Sequence, residues 1–331
     1  MKQPGSRWSR SSMALWATLC SALLITAPQV EAQSYPTKPL RLIVPYAPGG
    51  PADAVGRLLG ERLHQNMGQP VVIVNKDGAG TIIGSEYAAK ATPDGYTILL
   101  NTTAIVTNAS FGRKLPYDLQ RDLAPLAMYY VQPNLLVVHP AVPLHSVKEL
   151  VAYAKANPGK LRYGSSGVGA VVHLYTELLA RTAGMELTHV PYKGVAPAVI
   201  DLLAGRIDMM FAGIAIGAPH VKAGRVRAIG ITTKQRSALF PDIVPIAEQG
   251  LPDYDVKTWY GLFVPAKTPR PIIDRLAGEI TKIAAEPAFR QRLIDLGGEA
   301  VAVGPDEFKA QISRDLKIWT ETVRAANIKL N

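Results

Sequence analysis

The sequence predicts an α/β protein of two lobes, each a mainly parallel sheet flanked by helices, with two strands crossing between them. Three observations predict it. Strand-like apolar runs alternate with helical patterns, the order that gives parallel sheets covered on both faces. The succession strand, glycine loop, helix, strand, glycine loop, helix, strand occurs over residues 40–101 and again over 161–213. Two apolar, extended stretches, 123–140 and 256–269, come after the repeats, and each stops at a proline.

The elements follow in order. "LRLIVPY" reads as a strand, and "PADAVGRLLGERLHQNM" has helical spacing that ends at Gly68. "QPVVIVN" is a strand, "KDGAGTIIG" a glycine loop, and "SEYAAKAT" a helix that stops before Pro93; "GYTILLN" closes the first repeat. In the second repeat, "LRYGSS", "LTHVPY" and "IDMMFAG" are strands. The helices between them are closed by Gly184 and Gly205, glycine being the residue that best ends a helix in the left-handed region. "SVKELVAYAKANPGK" opens on a capping box, Ser146 with Glu149. The last two long segments, from Pro271 and from Pro305, carry apolar residues at helical spacing and are expected to pack back onto the first lobe. Glycine loops at the C-terminal ends of parallel strands are where open α/β sheets take ligands. Helix N-termini there offer unpaired N–H groups and a partial positive charge. The expected ligand is a small anion, a carboxylate, held in a cleft largely by backbone donors.

With 331 residues, 48% of them hydrophobic, the chain can build sizeable cores. Its start reads separately. Lys2, Arg7 and Arg10 precede the uncharged "MALWATLCSALLITA", and Val30 and Ala32 stand before Gln33. This is the three-part pattern of a secretory signal peptide, residues 1–32, with cleavage expected after Ala32. The apolar run is shorter than the roughly 20 residues of a membrane span. Leu19 argues against lipid attachment at Cys20, the chain's one cysteine, so the exported part has no thiol or disulfide chemistry. Without the leader the balance falls from +10 to +8. The charges are scattered, with no basic run interleaved with aromatics, so nucleic acid is not an expected partner.

Other chemistries fail on spacing. "GAGTIIG" has Ile83 where a dinucleotide loop needs its third glycine, and no acidic residue ends the next strand. "GSSGVG" puts Val168 where a nucleophile elbow needs glycine, which argues against a hydrolase. Ser165 and Ser166 are better used as donors to a carboxylate at a helix start. His64, His139, His145, His173, His189 and His220 lie too far apart to read as a metal site, and no phosphate loop is present. No cofactor is expected.

Five stretches then occur in order: "YPTKPLRLIVPYAPGGPADAVGRLL", "NKDGAGTIIGSEYAAKATPDGYTILL", "LRYGSSGVGAVVHLYTELLA", "HVPYKGVAPAVIDLLAGRIDMMF" and "TWYGLFVPAKTP". Together they closely resemble the Bug receptors, the periplasmic solute-binding proteins of tripartite tricarboxylate transporters, over about residues 35–331. The resemblance implies a non-enzymatic, type II two-lobe binding protein, monomeric, that closes around a small organic carboxylate and serves integral-membrane permease subunits. It implies a first lobe of 33–130 plus 257–331 and a second of 131–256. By match, the first lobe holds a carboxylate through Tyr46, Ala47, Pro48 and Gly49 with Asp53, and through Gly78, Ala79 and Gly80; Thr102 is a further candidate. The second lobe contributes Ser165, Ser166 and Gly169 with His173 behind them, then Tyr192 to Gly194. Asp208, at the start of a strand, is expected to reach the cleft. Thr81 stands where the family pattern suggests a second glycine, and is expected to place a hydroxyl at the loop rim. Lys193 is the one basic residue expected near the cleft, while Tyr46, Val171, Tyr192 and Phe211 would give it an apolar lining. A periplasmic sensor for a signalling partner is the alternative reading.

Overall fold

The computed structural model describes residues 35–237 and 240–329, so the leader lies outside the described residues. The chain from Lys38 onward is one compact unit, and Tyr35–Thr37 belong to the preceding one. Eleven strands and eleven α-helices are described in the larger unit.

The first repeat runs β1 (Leu40–Val44), α1 (Pro51–Met67), β2 (Val71–Asn75), α2 (Ile82–Ala89), β3 (Thr97–Thr102) and α3 (Ala104–Ser110). A short α4 (Leu119–Asp122) leads into β4 (Leu123–Gln132), then β5 (Asn134–Val138) and α5 (Val147–Ala156). The second repeat runs β6 (Arg162–Ser165), α6 (Val171–Ala183), β7 (Thr188–Pro191), α7 (Val195–Leu203), β8 (Met209–Gly213) and α8 (Ile214–Lys222), followed by β9 (Arg227–Ile231). The chain ends with β10 (Thr258–Pro265), α9 (Arg270–Ala285), α10 (Pro287–Asp295), β11 (Glu299–Val303) and α11 (Pro305–Ala325).

Two sheets result, ordered β11-β4-β10-β3-β1-β2 and β7-β6-β8-β5-β9. In each, the three repeat strands are mutually parallel, β1 between β2 and β3, and β6 between β7 and β8. The strands near the crossings pair antiparallel: β10 with β3 and β4, β11 with β4, and β5 with β8 and β9. The sheets are therefore mixed, with parallel pairing confined to the repeats. The reason lies in connectivity. Helical crossovers join the repeat strands and impose parallel order, whereas β4, β5 and β10 lie on the crossings between the sheets, outside the repeats, and β5 and β10 run against the repeat strands they pair with.

The two sheets share an apolar and aromatic core. Phe211 of the second sheet stacks on Tyr254 and meets Tyr175 edge-on, and Tyr175 stacks on Trp319 of α11 at 5.6 Å. Trp259, at the start of β10, meets Phe308 of α11 edge-on at 5.0 Å. Helix α9 packs on the first lobe as expected, but α11 reaches β4 and α3 in one lobe and α6 in the other. Its carboxylate Asp315, nearly buried, accepts from the Trp259 indole at 2.7 Å and from Gln311 at 2.7 Å. The capping box is present in altered form. Ser146 accepts from the Glu149 N–H, while Glu149 reaches back one residue further, to the His145 N–H.

Candidate functional site

In the first lobe, three chain segments leave the C-terminal ends of β1, β2 and β3 and are tied together by side chains. Asn75 ends β2 and donates to both the Tyr46 carbonyl (3.1 Å) and Asp53 (2.9 Å). Asp53 also accepts from the Gly49 N–H and from Arg57, each at 2.9 Å. Its carboxylate is buried, and Arg57 beside it pulls its pKa down to about 2. Every oxygen of Asp53 is thus committed to the loop. It shapes the 46–50 turn, and Arg57 offsets its charge. Asn101, the last residue but one of β3, donates to Ser85 (2.9 Å), while Tyr46 and Thr102 join hydroxyls at 2.7 Å.

The loop 78–81 has four consecutive residues with positive φ: Gly78 (120°), Ala79 (46°), Gly80 (61°) and Thr81 (82°). For Ala79 and Thr81 this is strained backbone, held by its surroundings. Asn108 of α3 donates to the Gly80 carbonyl (2.6 Å), and Ser85 to that of Thr81 (2.8 Å). Thr81 is buried, with its hydroxyl near Asn108, so it does not line the rim as expected. Ala79 and Gly80 are exposed, and their N–H groups have no partner among the described residues. Ala47, Pro48 and Gly49 are exposed as well. Gly84 lets α2 lie against both loops: a Cβ there would sit 2.7 Å from the Lys76 carbonyl and 2.7 Å from the Pro45 ring. Gly84→Ala is expected to cost about 1–3 kcal/mol, read as a lowered urea midpoint at unchanged slope.

The second lobe repeats the plan with different tethers. The Gly169 N–H donates to His173 Nδ1 at 2.9 Å, and the Gly167 N–H to Ser165 Oγ at 3.2 Å. Tyr192 donates its N–H to the Ser165 carbonyl (3.0 Å) and its hydroxyl to Asp201 (2.8 Å). Ser165 and Gly169 are therefore internal anchors, not free donors, which corrects the expectation for both. Ser166 is half-buried, and among the described residues neither its hydroxyl nor its N–H has a partner; nor does the N–H of the exposed Val168. The first-turn N–H groups of α6 add further donors. Gly194 precedes α7 with φ 110°, and Lys193 is exposed, with no ion pair among the described residues.

Asp208 is a clear correction. It binds Arg162 at 2.7–3.1 Å, at the N-terminal ends of β6 and β8, opposite to the glycine loops. Phe211 is core, not lining. Ser165 lies 2.6 Å from His189 Nε2, a serine–histidine contact that spacing concealed. It cannot act as a nucleophilic pair, because Ser165 has no exposed surface for a substrate to approach. His189 in turn stacks on His173, with centroids 3.9 Å apart, and on Tyr163 at 4.8 Å. Burial pushes both histidines down to about 4, and the neighbouring ring adds to the effect on His173. Both are neutral at pH 7. Between their ordinary value and about 4 the unfolded chain binds protons that the folded chain does not. The stability they contribute is full above about pH 6.5 and declines as pH falls toward 4. Melting temperature against pH should fall over this window, and less steeply in a His173→Phe, His189→Phe variant.

No group of three or more metal-ligating side chains occurs among the described residues, and no described helix is long and apolar enough to cross a membrane. Sequence reasoning missed Asn75, Asn101, Asn108 and His189. A signal existed for two of them, since "VVIVN" and "TILLN" both end on asparagine at the site end of a parallel strand.

Comparison with known proteins agrees with this architecture. The pattern of the tripartite tricarboxylate transporter family receptor, TctC, matches residues 55–328. BugT of Bordetella pertussis is 34% identical over 308 residues, covering 92% of this chain and 94% of BugT. The structure of Rpa4515 of R. palustris with adipate superposes with a TM-score of 0.74 at 33% identity, covering 89% of this chain and 99% of that one. MatC of Rhodopseudomonas palustris with bound malate gives 0.70 at 30% identity, covering 87% and 100%. The family is one of receptors, not enzymes, and the two solved structures share this chain's two-lobe type II fold. The chain belongs to the receptor family of the tripartite tricarboxylate transporters, as a periplasmic solute-binding protein.

Proposed function

We propose that the protein captures a small organic carboxylate between its lobes and presents it to the integral-membrane permease subunits of its transporter. One observation carries the reading: each lobe holds a glycine loop, 78–81 or 165–169, that leaves backbone N–H groups uncommitted at a helix start. Such donors suit a carboxylate without an arginine clamp. The malate and adipate held by MatC and Rpa4515 fit this chemistry. The lobes, 33–130 with 257–331 and 131–256, close about the two crossings. The exported form begins after Ala32 and works as a monomer. Closure follows from ligand affinity that is greater for the closed state than for the open one.

A thermal-shift screen of the refolded protein with mono-, di- and tricarboxylates, acidic amino acids and aromatic acids tests this. A ligand at about 100 times its Kd adds roughly 2.7 kcal/mol of stability. One class of acid should raise Tm by several degrees. No shift with any acid would contradict the proposal.

A further inference from the structure

We propose that His189 is the positioning residue of the second-lobe ligand loop, and that with His173 it holds residues 165–169 in the shape that receives a carboxylate. The proposal rests on the receptor reading. The stretch "HVPYKG" opens on His189 but gives it no role, because the contact that matters joins β7 to α6 and to the end of β6.

The loop is fixed from below at two points. At one end, Ser165 Oγ accepts the Gly167 N–H and meets His189 Nε2 at 2.6 Å. At the other, His173 Nδ1 accepts the Gly169 N–H at 2.9 Å. The two imidazoles lie face to face, 3.9 Å between centroids and 10° between planes. Displacing one ring therefore displaces the other, and both tethers with it.

The N–H groups of the loop are consequently divided in use. Those of Gly167 and Gly169 are consumed by the tethers, and those of Ser166 and Val168 are left for a ligand. Gly167 and Gly169 have φ of 133° and 77°, a backbone suited to this alternation. The inner side is neutral at pH 7. The charged and titratable groups that face the pair are Glu177 of α6, 3.7 Å from His173 Nε2, and Tyr163 of β6, whose hydroxyl binds Glu177. The acceptor at His173 Nδ1 requires an unprotonated nitrogen there, which leaves the proton on Nε2, toward Glu177.

His189→Phe tests the idea. Phenylalanine keeps the stack between Tyr163 and His173 but removes the contact with Ser165. Titrations with malate and adipate and amide hydrogen exchange at Gly167 and Gly169 are compared with the wild type, and His189→Gln serves as the hydrogen-bonding rescue. The expected result is at least tenfold weaker binding in His189→Phe, with faster exchange confined to these two amides, Tm of the unliganded protein within about 2 °C, and partial recovery in His189→Gln. Unchanged affinity and exchange would overturn the proposal. So would faster exchange spread over the whole lobe, since His189 would then be a structural residue only. If the wild type binds no acid, the receptor reading fails, and exchange at the two glycines still decides the positioning role.

Discussion

Trp259→Ala is expected to destabilise the protein by about 3–5 kcal/mol, the range for removing a buried tryptophan. Trp259 is 1% exposed and sits where the chain returns from the second sheet to the first. Its ring packs on Phe263 and Phe308, and its backbone exchanges bonds with Thr103: its N–H donates to Thr103 Oγ1 at 3.0 Å, and its carbonyl accepts the Thr103 N–H at 3.2 Å. The indole also donates to Asp315, whose pKa burial raises. Alanine therefore opens a cavity and leaves Asp315 with Gln311 alone. Trp259→Phe refills part of the space but still strips Asp315 of a donor, so a loss of about 1–3 kcal/mol is expected. Urea unfolding of the three proteins should rank wild type, then Phe, then Ala. Equal midpoints for wild type and Ala would show that the crossing is not a stability centre.

The second large effect is on binding. Asp53→Ala removes the acceptor shared by Gly49, Asn75 and Arg57 and should release the 46–50 turn. A loss of at least tenfold in carboxylate affinity is expected, with about 1–2 kcal/mol of stability after allowance for the half-exposed Arg57. Asp53 is depressed in the folded state, so its stabilisation is present above the ordinary carboxylate pKa and lost as pH falls toward 2. Acid unfolding of the alanine variant should accordingly be less steep there. An unchanged Kd would remove the 46–50 turn from the site.

The repeats were legible because helix ends carry their own chemistry. The helix predicted from Pro51 ends at Met67, with Gly68 left-handed after it, and that predicted to close at Gly184 ends at Ala183. The third helix of each repeat, α3 and α8, was not read: "AIVTNAS" is short, and "IAIGAPHVK" contains Pro219. Strands β9 and β11 went unread too, since each is five residues without a clean alternation of burial. At the site, glycine loops were readable as backbone donors, but which N–H faces outward was not. That depends on tertiary partners such as His173 for Gly169 and Asp53 for Gly49. Asp208 misled because a carboxylate beside a strand says nothing of which strand end it occupies; its register beside Arg162 decides that.

Calorimetric titration of the acid that gives the largest thermal shift tests the central claim most directly. It would be run on the refolded wild type, on Asp53→Ala in the first lobe and on His189→Phe in the second. The account predicts one site per chain in the wild type and a loss of at least tenfold in each variant. Full affinity in both variants would place the ligand elsewhere and contradict capture between the two loops.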